Sequence, residues 1–218
     1  MVGAMHSETL VVLVHGFCRG QKDLEYWRNG LQETFPNILT VDLPTRYGSF
    51  ERCVKELEKC IAAAEPERYK RLYLAGHSMG GLLLREYLQR HKPLNASRLL
   101  CVGTPHYGSK LADIALKIFY PAGWIWRPLH ALKTSARRQL VTPDIPGLQI
   151  GVIVGVNNRH WPGKLFFKST ADGLVEEYSA KAPDAAAIGY TQVPHDPMQY
   201  DAGIVEQIRK FFLTGDFQ

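Results

Sequence analysis

The sequence predicts an α/β protein built on one mostly parallel β-sheet. Short apolar runs rich in β-branched residues recur along the chain, and segments with helical spacing lie between them. Strands that alternate with helices form βαβ units, which set the strands in parallel and the helices on both faces of the sheet. Because 218 residues suffice for one large core, residues 1–218 are expected to form a single domain.

About six strands and at least four helices are expected. The first strand, Leu10–Val14, is a continuous apolar run that ends at His15-Gly16, which is typical of a strand buried on both faces. The other predicted strands are Ile38–Leu43, Arg71–Ala75, Leu99–Gly103, Leu148–Val156 and Ala187–Val193. The predicted helices are Leu24–Phe35, Phe50–Ala64, Gly81–Arg90 and Tyr200–Leu213.

One long connection interrupts this alternation. Residues 107–147 lie between the fourth and fifth predicted strands and have room for two or three short helices of their own, unlike the usual short connection. We interpret them as a helical lid. Its large side chains Phe119, Trp124 and Trp126 either pack onto the helices of the sheet or form a wall that binds an apolar acyl group. Transient contact of this lid with a lipid surface is a further expectation.

Composition argues against several other classes of protein. The net charge of +5 comes from 26 basic and 21 acidic residues spread along the chain, a pattern that does not indicate a nucleic-acid partner. The cysteines show neither CxxC spacing nor histidines in a metal-ligand pattern, so free thiols are expected rather than a zinc site. The first residues lack the basic and apolar regions of a signal peptide, which predicts a cytoplasmic protein.

The strongest chemical signal is the segment Ala75–Gly81, which reads AGHSMGG. It follows a predicted strand directly and opens a predicted helix. A serine hydroxyl becomes a useful nucleophile when a sharp strand-to-helix turn exposes it beside a base and an oxyanion site. Glycines at 76 and 80 remove side chains that would clash with the neighbouring strand and helix, so Ser78 is the expected nucleophile.

With this segment, the chain resembles the lipase and esterase branch of the α/β-hydrolase superfamily from Val11 to Phe212. Four further segments carry the resemblance, in the order expected: Val14–Phe17 (VHGF), Gly103–Ser109 (GTPHYGS), Ala171–Val175 (ADGLV) and Val193–Asp196 (VPHD). The resemblance implies an α/β-hydrolase fold with a helical lid insertion at about residues 107–147. The first strand corresponds to the third strand of the family sheet, which implies a small sheet.

The resemblance also assigns roles in an oxyanion hole. The segment at Val14–Phe17 is similar to the HG motif of lipases, in which the amide after the glycine is a donor, so this role passes to Phe17. Met79, which follows the nucleophile, would supply the second amide. His15 is expected to be a buried, hydrogen-bonded histidine that orients the loop.

The acid of a catalytic triad is assigned to Asp172. Its segment resembles the DG(L/V)V sequence that carries the triad acid, and Asp172 follows the predicted strand that ends at Val156. The alternative is an aspartate that merely shapes a turn before glycine. Glu176 and Glu177 are the reserve candidates, whereas Asp144 precedes that strand and belongs at the opposite end of the sheet.

The base is assigned to His195. This residue comes directly after the last predicted strand, and the chain order Ser, Asp, His is that of the superfamily. His106 follows the strand after Ser78 and is not the expected base. Asp196 is expected to cap the turn that follows.

These residues predict a serine esterase or lipase that cleaves carboxylic esters with apolar acyl groups through an acyl-serine intermediate. Its partner is a small-molecule ester or lipid, and the chemistry implies no cofactor or metal. A thioesterase or acyltransferase shares the same intermediate and stays open as an alternative. A ligand-binding protein that has kept the fold but lost activity is a second alternative.

Overall fold

Six parallel strands form the centre of the molecule. The computed structural model describes residues 7–118, 121–157 and 169–218. The strands are β1 (Thr9–Val14), β2 (Asn37–Val41), β3 (Arg71–His77), β4 (Ala96–Val102), β5 (Gln149–Gly155) and β6 (Ala187–Thr191). They lie in the order β2-β1-β3-β4-β5-β6, with every neighbouring pair parallel. The predicted α/β class, parallel sheet and strand number are confirmed.

Seven α-helices connect or follow these strands in the described part of the chain. They are α1 (Glu25–Leu31), α2 (Phe50–Ala63), α3 (Met79–His91), α4 (Lys110–Ile118), α5 (Ala122–Ile125), α6 (Glu177–Ala180) and α7 (Ala202–Thr214). The side chains of Ser49 and Asp201 accept hydrogen bonds from the first turns of α2 and α7, and so fix where those helices begin. Within the described residues, no helix is long and apolar enough to cross a membrane.

Two apolar layers hold the helices against the sheet. The residues of β1 are all buried, and they alternate between the layers as the pleat requires. Val12 belongs to the layer beneath α2 and α3, whereas Val11 and Leu13 belong to the layer beneath α1 and α7. Helices therefore cover both faces of the sheet, as the continuous apolar runs of the sequence predict.

Several predicted elements are longer than those observed, and two of them show the reason. β2 ends at Val41 rather than Leu43, because the Leu43 amide donates to the imidazole of His15 instead of extending the strand. The first predicted helix, Leu24–Phe35, is reduced to α1, with a short 3-10 turn at Gln21–Leu24 before it. Both differences lie at element ends, where side-chain hydrogen bonds decide the boundary.

The long connection after β4 contains short helices rather than a strand. It comprises α4, α5 and two 3-10 turns, Arg127–Leu132 and Thr134–Arg137. Leu129 and Leu132 are buried and join the layer beneath α2 and α3. The insertion is thus anchored on the face of the sheet that α2 and α3 cover.

Candidate active site

Ser78 lies at a sharp turn between β3 and α3. Its backbone has φ 53° and ψ −122°, a strained region for a residue with a side chain. A Cβ on Gly76 would lie 2.4 Å from the amide nitrogen of Gly81, and one on Gly80 would lie 2.3 Å from the carbonyl oxygen of Val14. Because real Cβ atoms do not approach so closely, the turn depends on glycine at both positions, as the sequence predicts.

The loop after β1 approaches Ser78 from the other side. A Cβ on Gly16 would come within 3.0 Å of the Ser78 Cβ. The buried ring of His15 holds this loop, since its Nε2 accepts from the Leu43 amide (3.0 Å) and its Nδ1 therefore donates to the Gly16 carbonyl (3.0 Å). The expectation that His15 is a buried, hydrogen-bonded histidine is confirmed.

Two backbone amides lie near the Ser78 turn. Phe17 follows Gly16 and lines the same cavity as Ser78. Met79 is the first residue of α3, so its amide belongs to the group that has no partner within the helix. The positive end of the α3 dipole also points toward this turn.

His195 and Asp172 form a buried pair on the neighbouring loops. The imidazole Nδ1 lies 2.6 Å from Asp172 Oδ2, and the His195 amide donates to the Asp172 carbonyl at 3.0 Å. The other carboxylate oxygen accepts from the amides of Leu174 (3.0 Å) and Val175 (2.8 Å). A carboxylate held in this way fixes the ring and leaves Nε2 as the free nitrogen.

The charge of Asp172 decides the protonation of His195. Burial alone would lower the pKa of this imidazole, but the adjacent Asp172 carboxylate and its hydrogen bond outweigh burial and raise the pKa above the usual value. The ring of His77 lies close to the same ring, tilted by 47°, and donates from Nε2 to the His195 carbonyl (3.0 Å). Its own pKa is far below the usual value, because it is buried and lies beside His195.

Ser78 and His195 line one cavity of about 250 Å³, which we call the serine cavity. Among the contacts of the described residues, no hydrogen bond joins the Ser78 hydroxyl to the imidazole. Such contacts are often long before substrate binds, and both side chains face the same space. Most of the wall is apolar and comes from Phe17, Pro105, Leu111, Leu129, Leu132, Leu174 and Val175.

The aromatic residues expected to form this wall lie elsewhere. Trp124 is 79% exposed and borders a different surface pocket, near α2. Trp126 packs on the layer beneath α2 and α3, and Phe119 lies outside the described residues. Leu129 and Leu132 line the serine cavity instead, because the 3-10 turn at Arg127–Leu132, and not α5, borders it.

The reserve acids bind lysines away from Ser78, and His106 also lies apart from it. Glu176 binds Lys110 at 2.7 Å, and Glu177 binds Lys181 at 2.6 Å. Asp144 is exposed and lies 3.7 Å from Lys92. His106 is buried and does not line the serine cavity. The geometry around His195 therefore favours Asp172 over both glutamates.

Two glycines that make room for the acid and base were not singled out in the sequence. A Cβ on Gly103 would lie 3.2 Å from both Asp172 Oδ2 and His195 Nδ1, and this residue has φ +56°. A Cβ on Gly155 would lie 2.5 Å from the Cβ of Asp172. Gly103 is the first residue after β4, and Gly155 is the last residue of β5. This position at the end of a strand is the only signal in the sequence that these glycines matter.

An ion pair at the mouth of the cavity was also missed. Arg19 Nη2 lies 2.7 Å from Asp196 Oδ1, and both residues line the serine cavity. The pair joins the loop that carries Phe17 to the loop that carries His195. Asp196 was expected only to cap a turn, because sequence separation conceals its partner.

A comparison with known families identifies the family of the fold. A model described as the alpha/beta hydrolase family matches residues 11–205 of the chain. No curated protein sequence matches it. The matched span includes Ser78, Asp172 and His195.

Solved structures of similar fold include lipases and esterases. The mature lipase BlEst2 of Bacillus licheniformis superposes with a TM-score of 0.74 at 19% identity, over 95% of this chain and 91% of that one. The metagenomic carboxyl esterase MGS0156 gives 0.70 at 17% identity, over 87% and 65%. A lipase-esterase related protein from Clostridium acetobutylicum gives 0.62 at 16% identity, over 96% and 97%. At these identities the likeness is one of fold.

Proposed function

The chain belongs to the alpha/beta hydrolase family, and on that premise we propose that it is a serine hydrolase that cleaves carboxylic esters with apolar acyl groups. One observation supports this most directly. The hydroxyl of Ser78, on its strained turn, shares a cavity with an imidazole that is paired at 2.6 Å with the buried carboxylate of Asp172. A nucleophile, a base and an orienting acid in this arrangement are what acyl transfer requires.

The proposed reaction begins with proton transfer. His195 Nε2 takes the proton of Ser78 as Oγ attacks the carbonyl carbon of the ester, while Asp172 stabilises the imidazolium. The amides of Phe17 and Met79 donate to the oxyanion, and such a donor is typically worth about 3 kcal/mol in the barrier. His195 then protonates the departing alcohol. Water, deprotonated by the same imidazole, releases the acid and restores Ser78.

The walls of the serine cavity favour an apolar acyl group. The leucines at 111, 129, 132 and 174 and Val175 offer no charge, whereas the polar groups gather at Ser78, His195 and the Arg19–Asp196 pair. Burial of hydrocarbon against such a wall is worth about 0.8 kcal/mol per methylene. We therefore expect kcat/KM to rise with acyl length until the cavity is full.

A panel of nitrophenyl esters of graded acyl length tests the proposal. Wild type should hydrolyse them, and Ser78→Ala should lose nearly all of the rate, because the covalent route is removed. A fluorophosphonate should label wild type but not Ser78→Ala. It should also label the control Ser109→Ala, because Ser109 lines the same cavity and is buried to the same degree (each serine is 9% exposed).

Adding an acyl-CoA of matched acyl length to this panel separates the alternatives. Faster turnover of an acyl-CoA than of the matched nitrophenyl ester would instead identify a thioesterase or acyltransferase. Absence of both turnover and labelling in a folded wild type would contradict the proposal and favour a ligand-binding protein. Contact of the insertion with lipid stays a prediction, to which the exposed side chains of Ile118 and Trp124 (77% and 79%) lend support.

A further inference from the structure

A polar groove lies next to the serine cavity. It is lined by residues 18–23, which follow Phe17, and by residues 42–47, which follow β2. We call it the outer groove. Arg19 lines both the serine cavity and the outer groove, so the two spaces meet at this residue. The groove has a volume of about 470 Å³, and sites for small molecules usually have about 300–1,000 Å³.

Hydrogen bonds between the two loops build the groove in the absence of a ligand. The Gln21 amide donates to Asp42 Oδ1 (3.1 Å), and the Thr45 hydroxyl donates to the Arg19 carbonyl (3.2 Å). The loops are thus joined at two points. A ligand therefore has little order to impose on them when it binds, which favours affinity.

The reaction itself directs part of the substrate toward this groove, and this step rests on the proposed function. His195 protonates the departing alcohol, so the alcohol part of the ester lies on the side of His195. Asp196 follows His195, and its carboxylate binds Arg19 at 2.7 Å. Because Arg19 borders both spaces, an alcohol that extends past this ion pair enters the outer groove.

The charges of the outer groove favour a neutral ligand that is rich in hydroxyl groups. Charged side chains of both signs line it: Arg19, Lys22, Asp23, Asp42 and Arg46. A charged ligand would meet side chains of its own sign as well as the opposite one. A hydroxyl group both donates and accepts hydrogen bonds, so it can pair with the cations and with the carboxylates.

Two exposed side chains offer contacts that suit such a ligand. The Asp42 side chain is 63% exposed, and among the described residues no donor binds its Oδ2, which can therefore accept from hydroxyl groups. Tyr47 is 62% exposed, and the guanidinium carbon of Arg46 lies 5.9 Å from the centroid of its ring. An exposed aromatic ring provides a flat apolar surface for the C–H groups of a sugar ring.

We propose that the outer groove binds the alcohol part of the substrate and that this alcohol is a monosaccharide. Glycerol would fill less than half of the volume at about 30 Å³ per heavy atom, the share of one water in the liquid, whereas a hexose would fill most of it. The bond between the carbonyl carbon and the sugar oxygen breaks, and His195 gives that oxygen its proton. Water then releases the acid, so the products are a free sugar and a free carboxylic acid.

Butyrate esters of different alcohols test the proposal. Wild type should have a kcat/KM about tenfold higher for a glucose monobutyrate than for ethyl butyrate, as expected from one or two additional hydrogen bonds. Tyr47→Ala and Asp42→Asn should each lower this ratio by about fivefold and leave the rate for ethyl butyrate unchanged. Titration of the released acid at constant pH would measure both rates.

A matched variant controls for the loss of an exposed tyrosine. Tyr26 is 44% exposed and lines neither the serine cavity nor the outer groove, so Tyr26→Ala should keep the wild-type ratio. Comparing each variant with wild type also removes the difference in intrinsic reactivity between the two esters.

Three outcomes would overturn the inference and leave the proposed function intact. Equal kcat/KM values for the two esters in wild type would mean that the groove does not bind the alcohol. An unchanged ratio in both folded variants would place sugar binding elsewhere. Faster hydrolysis of butyrylcholine than of the glucose ester would indicate a site for a cation. Failure of wild type to hydrolyse any ester, nitrophenyl butyrate included, would instead overturn the proposed function and this inference together.

Discussion

Two buried histidines at the same edge of the sheet have opposite protonation behaviour. His195 follows β6 and is 3% exposed, and His106 follows β4 and is 1% exposed. Burial alone would lower the pKa of both rings, but His195 faces the Asp172 carboxylate, whereas His106 faces the cations Arg85 and Arg137. The first pKa is raised and the second falls to about 3. The neighbouring charge, and not the depth of burial, decides whether a histidine can exchange protons near neutral pH.

The largest expected effect comes from removing the carboxylate that distinguishes His195. Asp172→Asn should lower kcat for a nitrophenyl ester by about 10⁴-fold, because the amide no longer fixes the imidazole tautomer or stabilises the imidazolium. Steady-state kinetics at saturating ester would measure it. Asp144→Asn, whose side chain is 93% exposed, is the matched control and should keep the wild-type rate. Retention of more than a tenth of kcat by Asp172→Asn would remove Asp172 from the proposed triad.

A large loss of stability is expected from a substitution near the other histidine, His106. The Asp184 carboxylate accepts from both Nη atoms of the buried Arg85 at 2.8 Å each. Asp184→Ala would leave this guanidinium without its ion pair and its positive charge near His106. The free energy of unfolding should fall by about 3–5 kcal/mol, and Tm by about 6–20 °C. Differential scanning calorimetry would measure it.

An exposed ion pair provides the comparison for Asp184. Glu8→Ala removes the partner of Lys70 at 2.6 Å on the surface and should cost about 0–1 kcal/mol. Equal losses in the two variants would mean that the Arg85 guanidinium is solvated in solution.

The smallest expected effect is a difference in the pH dependence of stability. His106 has a native pKa of about 3, below the usual value of 6.5, so between these pH values only the unfolded state takes up the proton. Stability should therefore fall on acidification through this range, by at most about 1.4 kcal/mol per pH unit from this group. His195 has the opposite sign, since its raised pKa stabilises the fold below pH 6.5 and this contribution is lost as pH rises through the native pKa.

Urea unfolding of wild type and His106→Gln at pH 6 and pH 5 would measure the acid slope. The variant should show the shallower dependence, whereas His91→Gln, an exposed control, should follow wild type. Identical slopes in wild type and His106→Gln would mean that His106 titrates as a solvated imidazole.

The sheet could be predicted from sequence because its signals are local. The buried run at Leu10–Val14 and the glycines around Ser78 report their surroundings directly, since each is required by contacts within a few residues of chain or with an adjacent strand. The same holds for the position of His195 just after the last strand. Chain order therefore sufficed to predict that His195, and not His106, lies in the same cavity as Ser78.

The contacts that sequence reasoning missed depend on residues far apart in the chain. Arg19 and Asp196 are brought together only by the sheet, and Gly103 reveals its importance only once Asp172 and His195 lie beside it. The residues that line the serine cavity also differ from those expected, for a related reason. The large apolar side chains around Trp124 and Trp126 indicated an insertion that buries hydrocarbon. They did not indicate that Leu129 and Leu132 would line the same cavity as Ser78.

The position of β6 at the edge of the sheet has a consequence for inactivation. Among the described strands it pairs only with β5, and the loop after it carries His195. Edge elements open at a lower free-energy cost than the interior strands, so β6 can separate while β1, β3 and β4 stay paired. Heating should then detach the base from the hydroxyl before the core melts, and catalytic half-life would report fraying of a single strand rather than loss of the whole fold.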